Sequence, residues 1–147
     1  MRISTKGRYG LRVLLDVAMH QQNGPVILRD ISKRQGISEK YLWQVINPLK
    51  GAGLVNAVRG AHGGYTLARL PERITVLEIV SVLEGSVDMV DCLEDPDGCD
   101  RSGACVARGV WNEIQNRLRE AMAGITLKEL IQKQRDFDTS ASPSYVI

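Results

Sequence analysis

Apolar residues recur at helical spacing from the start of the chain. Leu11, Leu14, Leu15 and Ala18 fall at i, i+3, i+4 and i+7, which predicts a helix from about Ser4 to His20. Lys6, Arg8 and Arg12 lie off that stripe, and "QQNGP" at 21–25 stops the helix with Gly24 and Pro25. Leu28 and Ile31 mark a short second helix, Gly36 ends it, and Ile37 packs back after the turn. Ser38 suits the N-cap of a third helix whose stripe is Leu42, Val45, Ile46 and Leu49. Pro48 predicts a kink or an early loosening there, because it removes a backbone donor. Two short helices joined through a glycine turn read as a helix-turn-helix, although helical hairpins of other kinds share the pattern.

The periodicity then changes from helical to alternating. "GLVNAVRGAHGGYTLAR" holds two β-prone runs, Leu54–Val58 and Tyr65–Ala68, around a glycine-rich tip bearing Arg59 and His62. A hairpin directly after a helix-turn-helix predicts the winged form, with an arginine on the tip suited to a narrow minor groove. Val76, Ile79, Val80 and Leu83 predict a further helix closed by Gly85. Pro96, Gly98 and Gly103 make residues 85–105 a loop. Trp111, Ile114, Leu118 and Met122 then predict a long amphipathic helix from about Val106 to Gly124, a candidate homodimer interface. "ITLKELIQKQ" is a short closing helix and "DTSASPSYVI" a flexible tail. The expected fold is mainly α with a small β wing. Its parts are a winged helix-turn-helix over 1–84, a cysteine loop over 85–105, a dimerisation helix and closing helix over 106–135, and a tail over 136–147.

Composition adds little to this picture and charge distribution adds more. The 147 residues are 44% apolar and 24% charged, which is ordinary for a globular chain. No apolar run approaches membrane-spanning length and "MRISTKGRYG" has no signal-peptide core, so a cytoplasmic setting is expected. Net charge is +2, but residues 1–60 carry ten Lys and Arg against three acids, which points to a polyanion partner. Double-stranded DNA read as a two-fold symmetric operator fits a helix-turn-helix dimer. Candidate contacts are Lys6, Arg8 and Tyr9 on the first helix, Ser38, Lys40, Tyr41, Trp43 and Gln44 on the third, and Arg59, His62 and Gly63 on the wing. Gln44 can pair with adenine in a bidentate way. Trp43 is either a thymine-methyl or sugar contact, or a core residue.

"DCLEDPDGCDRSGAC", residues 91–105, holds every cysteine of the chain, spaced C-x6-C-x5-C among five acids. In a reducing compartment such spacing suggests metal or redox chemistry rather than disulfides. An oxidoreductase is disfavoured, because there is no C-x-x-C pair and His20 and His62 lie far from the cysteines in sequence.

"MRISTKGRYGLRVLLDVA", "ISKRQGISEKYLWQVINPLKGAGLV" and "VRGAHGGYTLAR" resemble the Rrf2 family of bacterial winged-helix regulators over roughly residues 1–135. The resemblance implies a dimer with a cluster-binding loop just before its dimerisation helix. It also implies that Cys92, Cys99 and Cys105 hold an iron–sulfur cluster, 2Fe–2S or 4Fe–4S. IscR-type members place a histidine three residues after the last cysteine, where this chain has Arg108. NsrR-type members can use an aspartate on the first helix, where it has Arg8. Fourth-ligand candidates are then Asp91, Glu94, Asp95, Asp97 or Asp100, a group from the dimer mate, or an exogenous thiol or water. Zinc ligation and thiol switching are the other readings of the loop. "RISTKGRYGL" and "VLEG" look especially like CymR-type members, which act with cysteine synthase. The terminus "SYVI" resembles the carboxylate tail that enters that enzyme's active site, making Ile147 a candidate partner contact.

Overall fold

A computed structural model describes residues 2–142 of the protein. The Ser4 hydroxyl accepts from Gly7 N at 3.2 Å and opens helix α1, Thr5–His20. Helix α2, Leu28–Gln35, ends at Gly36, whose φ of 64° is left-handed and costs a residue with a Cβ. That turn delivers Ser38, which accepts from Tyr41 N at 3.2 Å and starts helix α3, Glu39–Gly51. Leu42, Val45, Ile46 and Leu49 are fully buried, as their spacing predicts. The helix persists past Pro48, whose missing donor leaves the Gln44 carbonyl without its i+4 partner.

The wing is the antiparallel pair β1, Val55–Val58, and β2, Gly64–Leu67, in register from Val55 opposite Leu67 to Val58 opposite Gly64. Val26 and Tyr65 exchange two backbone hydrogen bonds of 2.8 Å, which tie β2 to the segment before α2. Helix α4 runs Val76–Glu84 and a single turn, α5, covers Asp91–Glu94. The long helix α6 is Val106–Ala123 and the closing helix α7 is Leu127–Ala141.

Three expectations change. The buried arc of α1 is Val13, Leu14, Val17 and Ala18 with Gly7 and Gly10, while Leu11 and Leu15 are only half-buried. This helix packs on α4, α3 and α7, so its buried face is broader than one stripe and partly made of glycine. The closing helix reaches Ala141 through the start of the expected tail. It also returns to the winged unit: Leu127 N donates to Ile74 O at 2.8 Å, Val76 N donates to Ile125 O at 2.9 Å, and the Leu127 side chain is fully buried in that core. Ile147 and the rest of "SYVI" lie outside the described residues.

Two polar networks hold these parts together. Asp16, 3% exposed on α1, accepts from Arg34 Nη2 at 2.7 Å, Arg34 Nε at 3.0 Å and Gln35 Nε2 at 2.8 Å. The Asp16 hydrogen bond raises the Arg34 pKa above its ordinary value, so the guanidinium stays charged. After α4, Asp88 accepts from Ser86 Oγ at 2.7 Å, from Gln115 Nε2, and from Arg119 Nη2 at 3.1 Å. Met89 N donates to Gln115 Oε1 at 2.8 Å, so this clasp fastens the entrance of the cysteine loop to α6.

The Ser86 hydroxyl first, then Gln115 and Arg119, hold the Asp88 carboxyl below its ordinary 3.8, against burial. A depressed folded pKa contributes stability above the unfolded value that is lost as pH falls through the folded one. Asp88→Asn is therefore expected to lower stability at neutral pH. Its deficit relative to the parent should shrink as pH falls below about 4. Urea unfolding across pH checks this; a deficit independent of pH would refute the ionic part of the clasp.

Candidate functional site

The exposed side of α3 carries Glu39, Lys40, Trp43, Gln44 and Asn47, one polar face opposite the buried stripe. Trp43 is 49% exposed, which removes its core alternative. Ser38 is exposed and already engaged as the N-cap, leaving its hydroxyl proton to donate outward. Tyr41 is half-buried and meets Tyr9 edge-on at 5.5 Å between ring centroids, and the Arg12 guanidinium sits 5.1 Å over the Tyr9 ring. These two tyrosines thus brace α1 against α3 rather than projecting freely. Lys6 is half-buried and Arg8 exposed on the first turn of α1.

At the wing tip Arg59 and His62 are exposed. Gly63 N donates to Gly60 O at 3.0 Å, and a Cβ on Gly63 would lie 2.2 Å from Val58 O. Gly63 is therefore required by the turn itself, which presents Arg59 and His62 at the tip.

The cysteine loop is a series of short turns. Cys92 and Cys105 are half-buried and Cys99 is exposed. Cys92 and Cys99 line one open cavity of about 340 Å³ with Asp91, Asp95 and Gly98. Cys105 immediately precedes α6, makes no side-chain capping bond, and is outside that lining. Among the described residues no three His, Cys, Asp or Glu side chains are gathered closely enough to hold a metal ion. In chemistry the donor set fits an iron–sulfur group, since thiolates are its usual ligands and a turn-rich loop can bring them together.

Two side chains organise the backbone of this loop. Arg108 Nε, from the first turn of α6, donates to the Cys92 carbonyl at 3.0 Å, and Ser102 Oγ donates to the Cys99 carbonyl at 2.8 Å. Arg108 thus restrains the backbone of one candidate ligand. Nothing in the local pattern signals a contact across 16 residues.

On the outer face of α6, Val106 (84% exposed), Val110, Trp111 (40%) and Ile114 (41%) form an uncovered apolar strip, while Gln115 is the helix's buried residue. Among the described residues no helix is long and apolar enough to cross a membrane.

A helix-turn-helix with a basic wing, an exposed polar recognition face and a short cysteine-bearing loop defines a winged-helix DNA-binding protein. The sequence model of the Rrf2 family, described as an iron-dependent transcriptional regulator, matches residues 3–133. The chain belongs to this family, and it is a transcription regulator rather than an enzyme. It is 42% identical over 140 residues to the HTH-type transcriptional regulator IscR of Xenorhabdus nematophila, covering 95% of this chain and 85% of the relative. It is 43% identical over 131 residues to IscR of Aliivibrio salmonicida, covering 89% and 77%. Among solved structures, CymR, the global cysteine regulator of B. subtilis, aligns with a TM-score of 0.76 at 38% identity, over 90% of this chain and 98% of that one. IscR of T. potens aligns with a TM-score of 0.74 at 38% identity, over 99% and 95%.

Proposed function

We propose that the protein binds operator DNA as a two-fold homodimer and that an iron–sulfur cluster held by Cys92, Cys99 and Cys105 sets that binding. The observation that carries this reading is the placement of all three cysteines between the winged unit and α6, two of them on one cavity. When bound, such a cluster supplies a group sensitive to iron supply, oxygen or nitric oxide. Asp91 and Asp95 share the cavity with two of the thiols, whereas Glu94, Asp97 and Asp100 do not line it. Those two are the loop carboxylates best placed to complete the ligand set, although Asp95 already accepts from Asp97 N at 3.2 Å. The uncovered apolar strip of α6 is the surface for the second copy, which places two recognition helices on one duplex.

Anaerobic purification followed by absorption spectroscopy, iron and sulfide analysis and native mass spectrometry tests the cluster. A coloured dimer carrying iron and sulfide is expected; a colourless, iron-free chain after reconstitution rejects it, and bound zinc would establish the competing reading. In DNA binding, α3 supplies base contacts through Gln44 and Trp43. Lys40 and the first turn of α1 hold phosphates, and Arg59 enters the minor groove. Arg59→Ala is expected to weaken operator binding by about tenfold, and Lys40→Ala to weaken it uniformly across sequences while the salt slope falls by about one. Fluorescence anisotropy over a salt series measures both. Unchanged affinity and slope for Arg59→Ala would remove the wing from the interface.

The CymR-like reading rests on "RISTKGRYGL", the wing and "VLEG", and Ile147, its candidate contact with cysteine synthase, lies outside the described residues.

A further inference from the structure

A carboxylate packs against the first turn of α1, the turn that carries Lys6 and Arg8. Glu84, the last residue of α4, accepts through Oε1 from both Ser4 N at 3.1 Å and Ser4 Oγ at 2.7 Å. The Ser4 hydroxyl in turn accepts from Gly7 N at 3.2 Å, so its proton faces Glu84 and a lone pair faces the helix. The carboxylate, the hydroxyl and the first turn of α1 form one relay joining residues 80 apart in sequence. Close packing leaves little room for any other arrangement. A Cβ on Gly7 would lie 2.1 Å from Glu84 Oε1, and a Cβ on Gly10 would lie 1.9 Å from Leu83 Cδ1. Two glycines one turn apart thus seat α1 directly on the end of α4.

We propose that Glu84 is a positioning residue for DNA binding: through Ser4 it fixes the first turn of α1 and the Lys6 and Arg8 side chains that turn presents to phosphate. The inference rests on the reading of α1 as a DNA contact. Its location gives it a second consequence. Gly85 follows Glu84, and Asp88 and Met89 are clasped to α6 by Gln115 and Arg119 shortly before Asp91 and Cys92. The residue that orients α1 therefore starts the segment entering the cysteine loop, so a shift of that segment moves the phosphate contacts.

Charge and position predict opposite signs. A negative group near the interface repels phosphate, so on charge alone its removal tightens binding. Glu84→Gln removes the charge but retains an oxygen that can accept from Ser4, whereas Glu84→Ala removes the acceptor as well. Binding is read by fluorescence anisotropy on a mixed-sequence DNA duplex over a salt series, using the full-length chain after circular dichroism confirms its fold. Glu84→Ala should bind about fivefold more weakly with a salt slope shallower by about one, and Glu84→Gln should stay within about twofold of the parent. Ser4→Ala, a milder change, should reproduce the alanine result. The double variant should be no weaker than the weaker single, because both break one relay.

Equal or tighter binding by Glu84→Ala and Ser4→Ala with unchanged slope overturns the proposal, as does identical behaviour of Glu84→Ala and Glu84→Gln. Lys6→Ala and Arg8→Ala separate the two levels. If neither alters the slope, the DNA role of α1 fails and takes this inference with it. If they alter it and the Glu84 and Ser4 variants do not, the inference alone fails.

Discussion

Asp16→Ala is expected to lower the stability of the winged unit by about 3–5 kcal/mol, a large share of the 5–15 kcal/mol typical of a domain. The carboxylate is 3% exposed and takes three hydrogen bonds from Arg34 and one from Gln35, so alanine leaves a guanidinium in a partly buried site without its counter-charge. The pair does more than neutralise itself. Arg34 and Gln35 end α2, Gln35 also accepts from Arg12 Nε at 3.1 Å, and Arg12 lies over the Tyr9 ring that meets Tyr41 on α3. Loss of Asp16 therefore loosens the contact between α1 and both helices of the helix-turn-helix. Asp16→Asn retains the shape and one acceptor and should recover part of the loss. Urea unfolding monitored by circular dichroism measures both. A cost under about 1 kcal/mol for alanine would mean that water satisfies Arg34, whose side chain is 33% exposed, as it does in surface ion pairs.

The second large effect concerns the loop. Cys92→Ser, Cys99→Ser and Cys105→Ser are each expected to reduce iron retained after anaerobic reconstitution by roughly tenfold or more, since each removes one of only three thiolates. None of the three belongs to the hydrophobic core, so folding and binding to mixed-sequence DNA should persist. Iron and sulfide per chain, with native mass spectrometry, give the result. Asp91→Ala and Asp95→Ala then discriminate between the two carboxylates on the cavity, because only the true ligand makes the cluster more labile. Parent-level iron in all three serine variants would refute the ligand assignment. Parent-level iron in both alanine variants would move the fourth position to the partner copy or to solvent.

The helix-turn-helix was legible because its signals are local. Ser38 as an N-cap, Gly36 in the left-handed turn, and the spacing of Leu42, Val45, Ile46 and Leu49 each act within one or two helical turns. The same spacing put Trp43 on the outer face, and only its large apolar ring argued otherwise. The wing lay within one residue of its expected strands, because the glycines that allow the tip are written in the chain. In α1 the apolar stripe misled. Gly7 and Gly10 line the contact with α4, and glycine carries no hydrophobic mark although it permits the closest approach.

The amino-acid sequence by itself determined the local units and their order: capped helices, the turn, the wing, a loop holding every cysteine, and a long helix with an apolar strip. Periodicity and capping fix these through neighbours along the chain. Only the tertiary structure decided which distant groups meet: Asp16 with Arg34, Glu84 with Ser4, Arg108 with the Cys92 carbonyl, and Leu127 with the core of the winged unit. The reason is geometric. Such pairs depend on how closely two backbones approach and at what angle, and neither quantity leaves a periodic trace along a single chain.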